Sequence, residues 1–323
     1  MTDEIDETDE TKIVKRLTRD LVKAAATLST DEARFLVDSY YQMQQDRQRA
    51  DSQVRSMKDE PHSTLSWLGE QSGMLERQIQ RALHSYAEAQ PVGRWMMSVY
   101  GIGPVIAAGL LAHIYIGDWC DHCHGHDEDD CKARQKDKKL KLKPHEYTPV
   151  VSCPTAGHIW RYAGLDPTVT WNKKQKRPWN ASLKTLCWKI GQSFMKFSGQ
   201  EECVYGHMYR ERKEYEIKRN DSGGNKDTAA AILESKKFDK STEAYKHLMT
   251  GKLPPAQIDA RARRYAVKMF LSHLHTVWWF IENGELPPKP FMIEHHGHVH
   301  YVSIVNSQEV PGLAKALRKG KRA

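Results

Sequence analysis

The stretch VGRWMMSVYGIGPVIAAGLLAHI at 92–114 decides the fold. Residues 95–100 are apolar and helical in character, Gly101-Ile102-Gly103 predicts a tight turn, and Pro104 stands at the first position of the next helix, where a missing N–H costs nothing. Two helices joined this closely make a helix-hairpin-helix. Glycines let backbone N–H groups approach a phosphate without interference from Cβ, and the helix opening at Pro104 points its positive end at the same place. Gly101, Ile102 and Gly103 are therefore candidate contacts to a phosphodiester backbone. The competing reading of GIGP is a plain turn between two core helices.

Upstream, Ser29-Thr30-Asp31-Glu32 offers a capping box, with Ser29 accepting from the third helical amide and Glu32 reaching back. Leu36, Tyr40, Met43, Ala50, Val54 and Met57 then fall on alternating four- and three-residue steps, interrupted by Arg47. Beyond Pro61, Leu65, Leu68, Leu75, Ile79, Ala82 and Tyr86 repeat that spacing. Residues 30–58 and 63–88 are predicted to be two antiparallel helices whose seams cover one another, or a dimerising coiled coil through which the chain forms a homo-oligomer. Residues 1–28 begin as a flexible acidic tail.

Downstream, 117–153 breaks the helical pattern with Cys, His, Asp and Lys. Cys120 and Cys123 form a C-x2-C knuckle, and Cys131 and Cys153 supply two more soft ligands, enough for a closed tetrahedral zinc site. His122, His124, His126 and His145 are substitutes. An insertion with so little apolar content needs a structural ion to hold together. A second histidine group, His295, His296, His298 and His300, would share one strand face in part, while His273 and His275 on the last long helix read as packed histidines.

The chain has 323 residues and a formal net charge of +8. Six carboxylates lie between Asp3 and Glu10, so the remainder carries +14 and a polyanion is its natural partner. No run approaches the roughly 18 apolar residues of a membrane helix, and the acidic N-terminus is unlike a signal peptide. Six cysteines are too few for a disulfide scaffold and fit a reducing cytoplasm, with a nucleoid-associated location following from the charge. Trp171, Lys173, Lys174, Lys176, Arg177, Trp179 and Lys184 alternate flat rings with cations, as a surface that stacks bases and neutralises phosphates would. Its competitor is a solvated basic loop whose tryptophans are buried. Lys132–Lys143 and Lys315–Arg322 are further basic patches. Residues 205–250 read as an exposed, charged helical arm, and 260–284 as a core helix stopped by Gly284.

The run Val99-Tyr100-GIGPVIAAGLLA, followed after the insertion by Gly157-His158-Ile159-Trp160-Arg161-Tyr162-Ala163-Gly164-Leu165-Asp166-Pro167 and then Leu183-Lys184-Thr185-Leu186, resembles the C-terminal domain of the DEDD-type insertion-sequence transposases. That is the family of Piv-like DNA invertases and bridge-RNA-guided recombinases. The helices of 30–88 resemble its coiled-coil segment, so the resemblance spans about 30–198. It implies a DNA-binding protein of transposition or recombination, acting on DNA that is branched or distorted, with RNA as a further candidate partner. It also implies a ribonuclease-H-like domain, for which this chain has no room or strands. The family's serine nucleophile would fall where this chain has Thr168-Val169-Thr170-Trp171-Asn172-Lys173.

The expectation is therefore a DNA-handling protein without its own nuclease site; Mg²⁺ enters only if Thr168, Thr170 or a carboxylate is catalytic. The alternatives are an active serine/threonine-type or metal-dependent recombinase, and an oligomeric assembly protein of a phage or mobile element. The predicted fold is mostly α: an antiparallel hairpin at 29–90, a helix-hairpin-helix domain at 91–200 with a zinc-binding insertion at 117–153, and a charged helical extension with a basic tail at 201–323.

Overall fold

The computed structural model describes residues 17–57, 63–119, 150–172, 174–288 and 303–320. The fold is mostly α-helical. The chain divides into two compact units, one formed by Met1–Met97 with Gly103–Ile114, the other by Ser98–Ile102 with Tyr115–Ala323. Among the described residues no helix is long and apolar enough to cross a membrane.

The first unit holds α1 (Arg19–Ala24), α2 (Thr30–Ser56), α3 (Ser63–Ala89), α4 (Pro91–Ser98, whose last residue falls in the second unit) and α5 (Pro104–His113). The capping box forms as the sequence predicts: Glu32 N donates to Ser29 Oγ at 3.3 Å and Ser29 N donates to Glu32 Oε2 at 2.8 Å. α2 and α3 run antiparallel, because Gln44 and Arg47 reach Glu76 while Ala50 lies over Gly69. α5 packs across both, and Arg34 Nε donates to Ala112 O at 2.6 Å near its C-terminal end.

The hairpin seam differs from the leucine spacing on α3. Leu68 is exposed, and Gly69, Gly73 and Glu76 are what α3 turns toward α2. Arg47 is the cause. Its guanidinium needs a countercharge and a gap, so Glu76 accepts from Arg47 Nε at 2.7 Å, and a Cβ on Gly73 would come within 3.1 Å of Arg47 Cδ. The residue that interrupts the apolar repeat is thus its electrostatic centre. Burial pushes the Glu76 carboxyl up, but bonds from Arg47 and Gln44 outweigh it and hold the group below its ordinary value.

The second unit begins with two short antiparallel strands, β1 (Gly117–Trp119) and β2 (Val150–Ser152), paired Gly117 to Ser152 and Trp119 to Val150. Then come α6 (Ala156–Tyr162), α7 (Ala181–Lys196), α8 (Val204–Asp221), α9 (Lys226–Ser235), α10 (Glu243–Met249), α11 (Pro255–Asn283) and α12 (Leu313–Gly320). α11 is the spine against which α6, α7 and α8 pack. Phe194, Tyr205 and Phe270 meet at its centre, Phe194 stacking on Tyr205 at 5.0 Å and Phe270 standing edge-on to Tyr205 at 5.4 Å. Gly284 ends α11 in the left-handed region, its N–H donating to Phe280 O at 2.9 Å, as predicted. His273 and His275 are buried, bonded to Tyr205 Oη and Cys153 O, which agrees with their reading as packed residues.

The reading of 205–250 as an exposed arm does not hold. α8 buries Tyr205, Met208, Tyr209, Glu216 and Asn220 and packs on α11, and Ala229, Leu248, Leu253 and Ile258 form a small core. Its charges do not mark a solvated arm, because they pair within and across helices. Glu216, only 1 % exposed, accepts from Arg212 Nε at 2.9 Å and lies 3.4 Å from Arg261, while Asp259 takes Lys213 at 3.0 Å and Arg263 at 2.8 Å.

Candidate nucleic-acid interface

The segment that carries the family resemblance, Tyr162-Ala163-Gly164-Leu165, ends α6 in a Schellman motif. Leu165 N donates to Trp160 O at 2.8 Å, Gly164 N donates to Arg161 O at 3.0 Å, and Gly164 takes φ +64°. Only glycine fits there, because a Cβ would stand 2.9 Å from Trp179 Cγ. Asp166 then accepts from both the N–H and the hydroxyl of Thr168, at 2.9 and 2.7 Å, and these bonds hold its carboxyl below its ordinary value. Asp166 thereby caps a local turn, and the Thr168 hydroxyl is engaged as a donor to it.

The chain returns to α7 through a loop shaped by its own side chains. Trp171 Nε1 donates to Gln175 O at 2.8 Å, and Lys174 takes φ +73°. Asn180 N donates to Tyr162 O and Asn180 Nδ2 to Tyr162 Oη, both at 2.9 Å, while Asn180 Oδ1 caps α7 by accepting from Leu183 N. The outcome is a cluster of rings with cations over them. Lys184 Nζ lies 4.0 Å from the Trp179 centroid, Arg177 lies 5.5 Å from that of Trp171, and the two indoles meet edge-to-face at 6.5 Å. Trp171 is neither buried nor detached from the body, so the solvated-loop reading with buried tryptophans does not describe it.

α11 adds residues that sequence reading assigned only to a core helix. Lys268 Nζ sits 4.2 Å over the Trp160 ring, whose Nε1 donates to Lys268 O at 3.1 Å. Arg264, one turn before Lys268, brings a further charge to Lys184 and Lys268. The signal was present as the i, i+4 pair Arg264 and Lys268 on the polar side of the helix, opposite Ala266, Phe270 and Val277. Lys184 and Lys268 are both held below the ordinary lysine value, first by desolvation and then by neighbouring cations, with Asp166 opposing the effect at Lys268. Among the described residues Arg177, Lys184, Arg264 and Lys268 make no ion pair within 4 Å. Lys174 and Lys176 are exposed on the same loop; Lys173 lies outside the described residues.

The Gly101–Gly103 turn is a different place. Gly101, at φ +93°, packs on the far half of α7: its carbonyl accepts from Ser193 Oγ at 2.6 Å and a Cβ would meet Phe194 at 3.2 Å. Ile102 is buried and its N–H donates to Val99 O at 3.0 Å, closing the turn on itself. Gly103 is exposed and caps α5 with extended backbone. Nine residues of α7 separate Lys184 from Ser193, roughly 14 Å along the axis. The two sets of candidate contacts therefore lie apart: packing on Phe194 fixes the bend at one end of α7, and the Asn180 cap gathers the rings at the other.

Of the four cysteines read as zinc ligands, Cys153 alone is described; Cys120, Cys123 and Cys131, the histidines of the insertion, His295–His300 and the Lys132–Lys143 patch lie outside the described residues. The strand register puts Cys153 just past the Gly117 end of the ladder, whereas Trp119, the neighbour of Cys120, pairs at the other end. Among the described residues no group of three or more His, Cys, Asp or Glu side chains is arranged to hold a metal. No protein-family model, no curated protein and no solved structure matches the chain.

Proposed function

We propose that this protein binds nucleic acid through the start of α7, and that it acts in DNA transposition or recombination as a transposase-like protein without a nuclease site of its own. The observation that carries the reading is the set of cations held over indole rings, Arg177 on Trp171, Lys184 on Trp179 and Lys268 on Trp160, with no described carboxylate in ion-pair contact. A protein that needed these charges for its own stability would pair them, as it does at Glu216 and Asp259. Left over aromatic faces, they suit phosphates. The role in transposition rests on the family resemblance alone, and within the proposal a structural zinc held by Cys120, Cys123, Cys131 and Cys153 staples the insertion.

The test is the double variant Arg177→Glu with Lys184→Glu, compared with the parent chain by DNA mobility shift across a salt series. Binding should weaken at least about tenfold and the slope of log affinity against log salt should lessen by about two, one per phosphate contact. Circular dichroism checks that the helices persist. Binding and slope both unchanged would reject this face.

A second reading has its own support in the first unit, where Phe35 is 70 % and Trp67 55 % exposed beside the hairpin seam. Such rings suit self-association through 30–88. Light scattering of Phe35→Ser with Trp67→Ser should give a smaller particle than the parent.

A further inference from the structure

The rings around α7 go beyond what phosphate neutralisation requires. In a base-paired duplex the bases stack on each other and a protein meets phosphate, sugar and groove edges, so the base faces that an exposed indole would stack on are already taken. Trp188 is 59 % exposed one turn beyond Lys184 on α7, Tyr162 is 40 % exposed where it receives the Asn180 bond, and Trp171 is 36 % exposed at the head of the loop. Each leaves apolar area in water.

The cations beside them do not reach outward. Lys184 is drawn down to 4.0 Å from the Trp179 centroid and Lys268 to 4.2 Å from that of Trp160. A phosphate that meets these charges therefore comes close to the ring plane, where an unpaired nucleotide would have its base. The field is also one-sided. Arg264 and Arg177 each repel Lys184, and Arg264 also repels Lys268, on which Asp166 is the one carboxylate acting. An anion placed among them relieves that repulsion, and a base on the adjacent indole covers its exposed face.

We infer that the ligand of this face is an unpaired stretch of nucleic-acid strand, DNA or RNA, with bases stacked on Trp171 and Trp188 and phosphates among Lys184, Arg264 and Lys268. The inference rests on the nucleic-acid reading above and narrows it. Stacking contributes in a sequence-tolerant way because every base has a π face, so the preference is for open strand over duplex and not for one base over another.

The experiment is fluorescence anisotropy of the full chain with three labelled oligomers of one ~20-nucleotide sequence, single-stranded DNA, the same DNA as a duplex, and single-stranded RNA, at about 0.1 M salt. Open DNA or open RNA, or both, should bind at least about tenfold more tightly than the duplex, with quenching of the tryptophan emission on binding. Trp188→Ala, a solvent-exposed substitution, should cost the open strand about fivefold or more and change duplex affinity less than about twofold, and Trp188→Phe should restore most of the loss. Trp171→Ala should act in the same direction. The RNA arm identifies the strand: tighter RNA binding assigns RNA, equal or tighter DNA binding assigns DNA, and either supports the inference. Duplex binding as tight as open strand, or tryptophan variants that weaken both equally, overturns the unpaired-strand inference and leaves the nucleic-acid reading standing. Absence of binding to all three at that salt overturns both.

Discussion

The contact between α8 and α11 and the start of α7 use the same residue types to opposite ends. Along α8, Arg212, Glu216 and Arg261 form one closed set, and Lys213, Asp259 and Arg263 another, so that a carboxylate only 1 % exposed lies between two guanidinium groups. Arg212 and Lys213 also lie over tyrosine rings, but around Trp171, Trp179 and Trp160 the cations over rings have no described carboxylate in ion-pair contact, and desolvation with neighbouring cations depresses the lysines. Charges that the fold satisfies internally are structural. Charges that it gathers and leaves to aromatic faces are available to a ligand. The α2–α3 hairpin falls with the first group, since Glu76 is claimed by Arg47 and Gln44.

If that distinction is right, breaking a closed set should cost stability and spare binding. Glu216→Ala takes the buried countercharge from Arg212 and Arg261, whose side chains keep about a third of their surface in water, so the cost falls toward the low end of the about 3–5 kcal/mol for breaking a buried pair. We expect a corresponding fall in denaturant midpoint, with the affinity of the folded protein for nucleic acid within about twofold of the parent. A large affinity loss at a temperature where the variant remains folded would show that the two regions are not separable.

The hairpin set should break more gently, because Glu76 takes one arginine, Arg47, where Glu216 takes two and is itself more deeply buried. Glu76→Ala should cost about 2 kcal/mol, while Arg47→Met together with Glu76→Leu should restore most of it, since a well-packed apolar pair replaces a half-buried ionic one at little cost. The pH dependence follows from the lowered carboxyl of Glu76. Its contribution is fully present above the ordinary glutamate value near 4.5 and is lost as pH falls through the lower folded value, so acid unfolding of the parent should be steeper below pH 4.5 than that of the double variant. Equal acid profiles would remove Glu76 from the account of hairpin stability.

At the ring cluster the reverse pattern is expected, a modest stability cost with a disproportionate effect on binding. Gly164→Ala must hold φ +64° with a side chain and put its Cβ 2.9 Å from Trp179 Cγ. We expect about 1–2 kcal/mol of destabilisation, and a roughly fivefold loss of nucleic-acid affinity because Trp179 and its Lys184 partner must shift. Affinity unchanged in the folded variant would detach Trp179 from the interface.

How much of this could be read from the chain follows from what kind of force made each feature. The capping box at Ser29, the stop at Gly284 and the bounds of α2 and α3 depend on local backbone chemistry and were legible. The true seam of α3 was not, because Gly69 and Gly73 matter for the space they leave to Arg47, and an apolar count gives glycine no weight. The burial of α8 was hidden for the same reason: Glu216 looks solvated until Arg261, forty-five residues away, is brought to it. The ring and cation content of 171–184 was legible as composition. That Arg264 and Lys268 join it while the Gly101 bend does not depends on how α7 docks, which no local pattern encodes.

The smallest effect on binding is expected from the cysteines, whose proposed task is structural. β1 and β2 are three residues each and pair only with each other among the described residues, so the ladder by itself holds the two ends of a thirty-residue excursion weakly. The proposed ion would add to what the ladder supplies. Elemental analysis of the purified chain should find about one zinc per molecule, and Cys120→Ser with Cys123→Ser should abolish it, since both thiolates of the knuckle are lost at once. Cys153→Ser is the more telling variant. It lies past the Gly117 end of the ladder with its carbonyl held by His275, and it alone of the four cysteines is among the described residues. Loss of zinc in Cys153→Ser would assign Cys153 to the ion. Full retention would pass the fourth position to one of the insertion's histidines and leave Cys153 as a packing residue beside α11. In neither case should open-strand affinity change by more than about twofold, because the rings are held by Asn180 and Gly164.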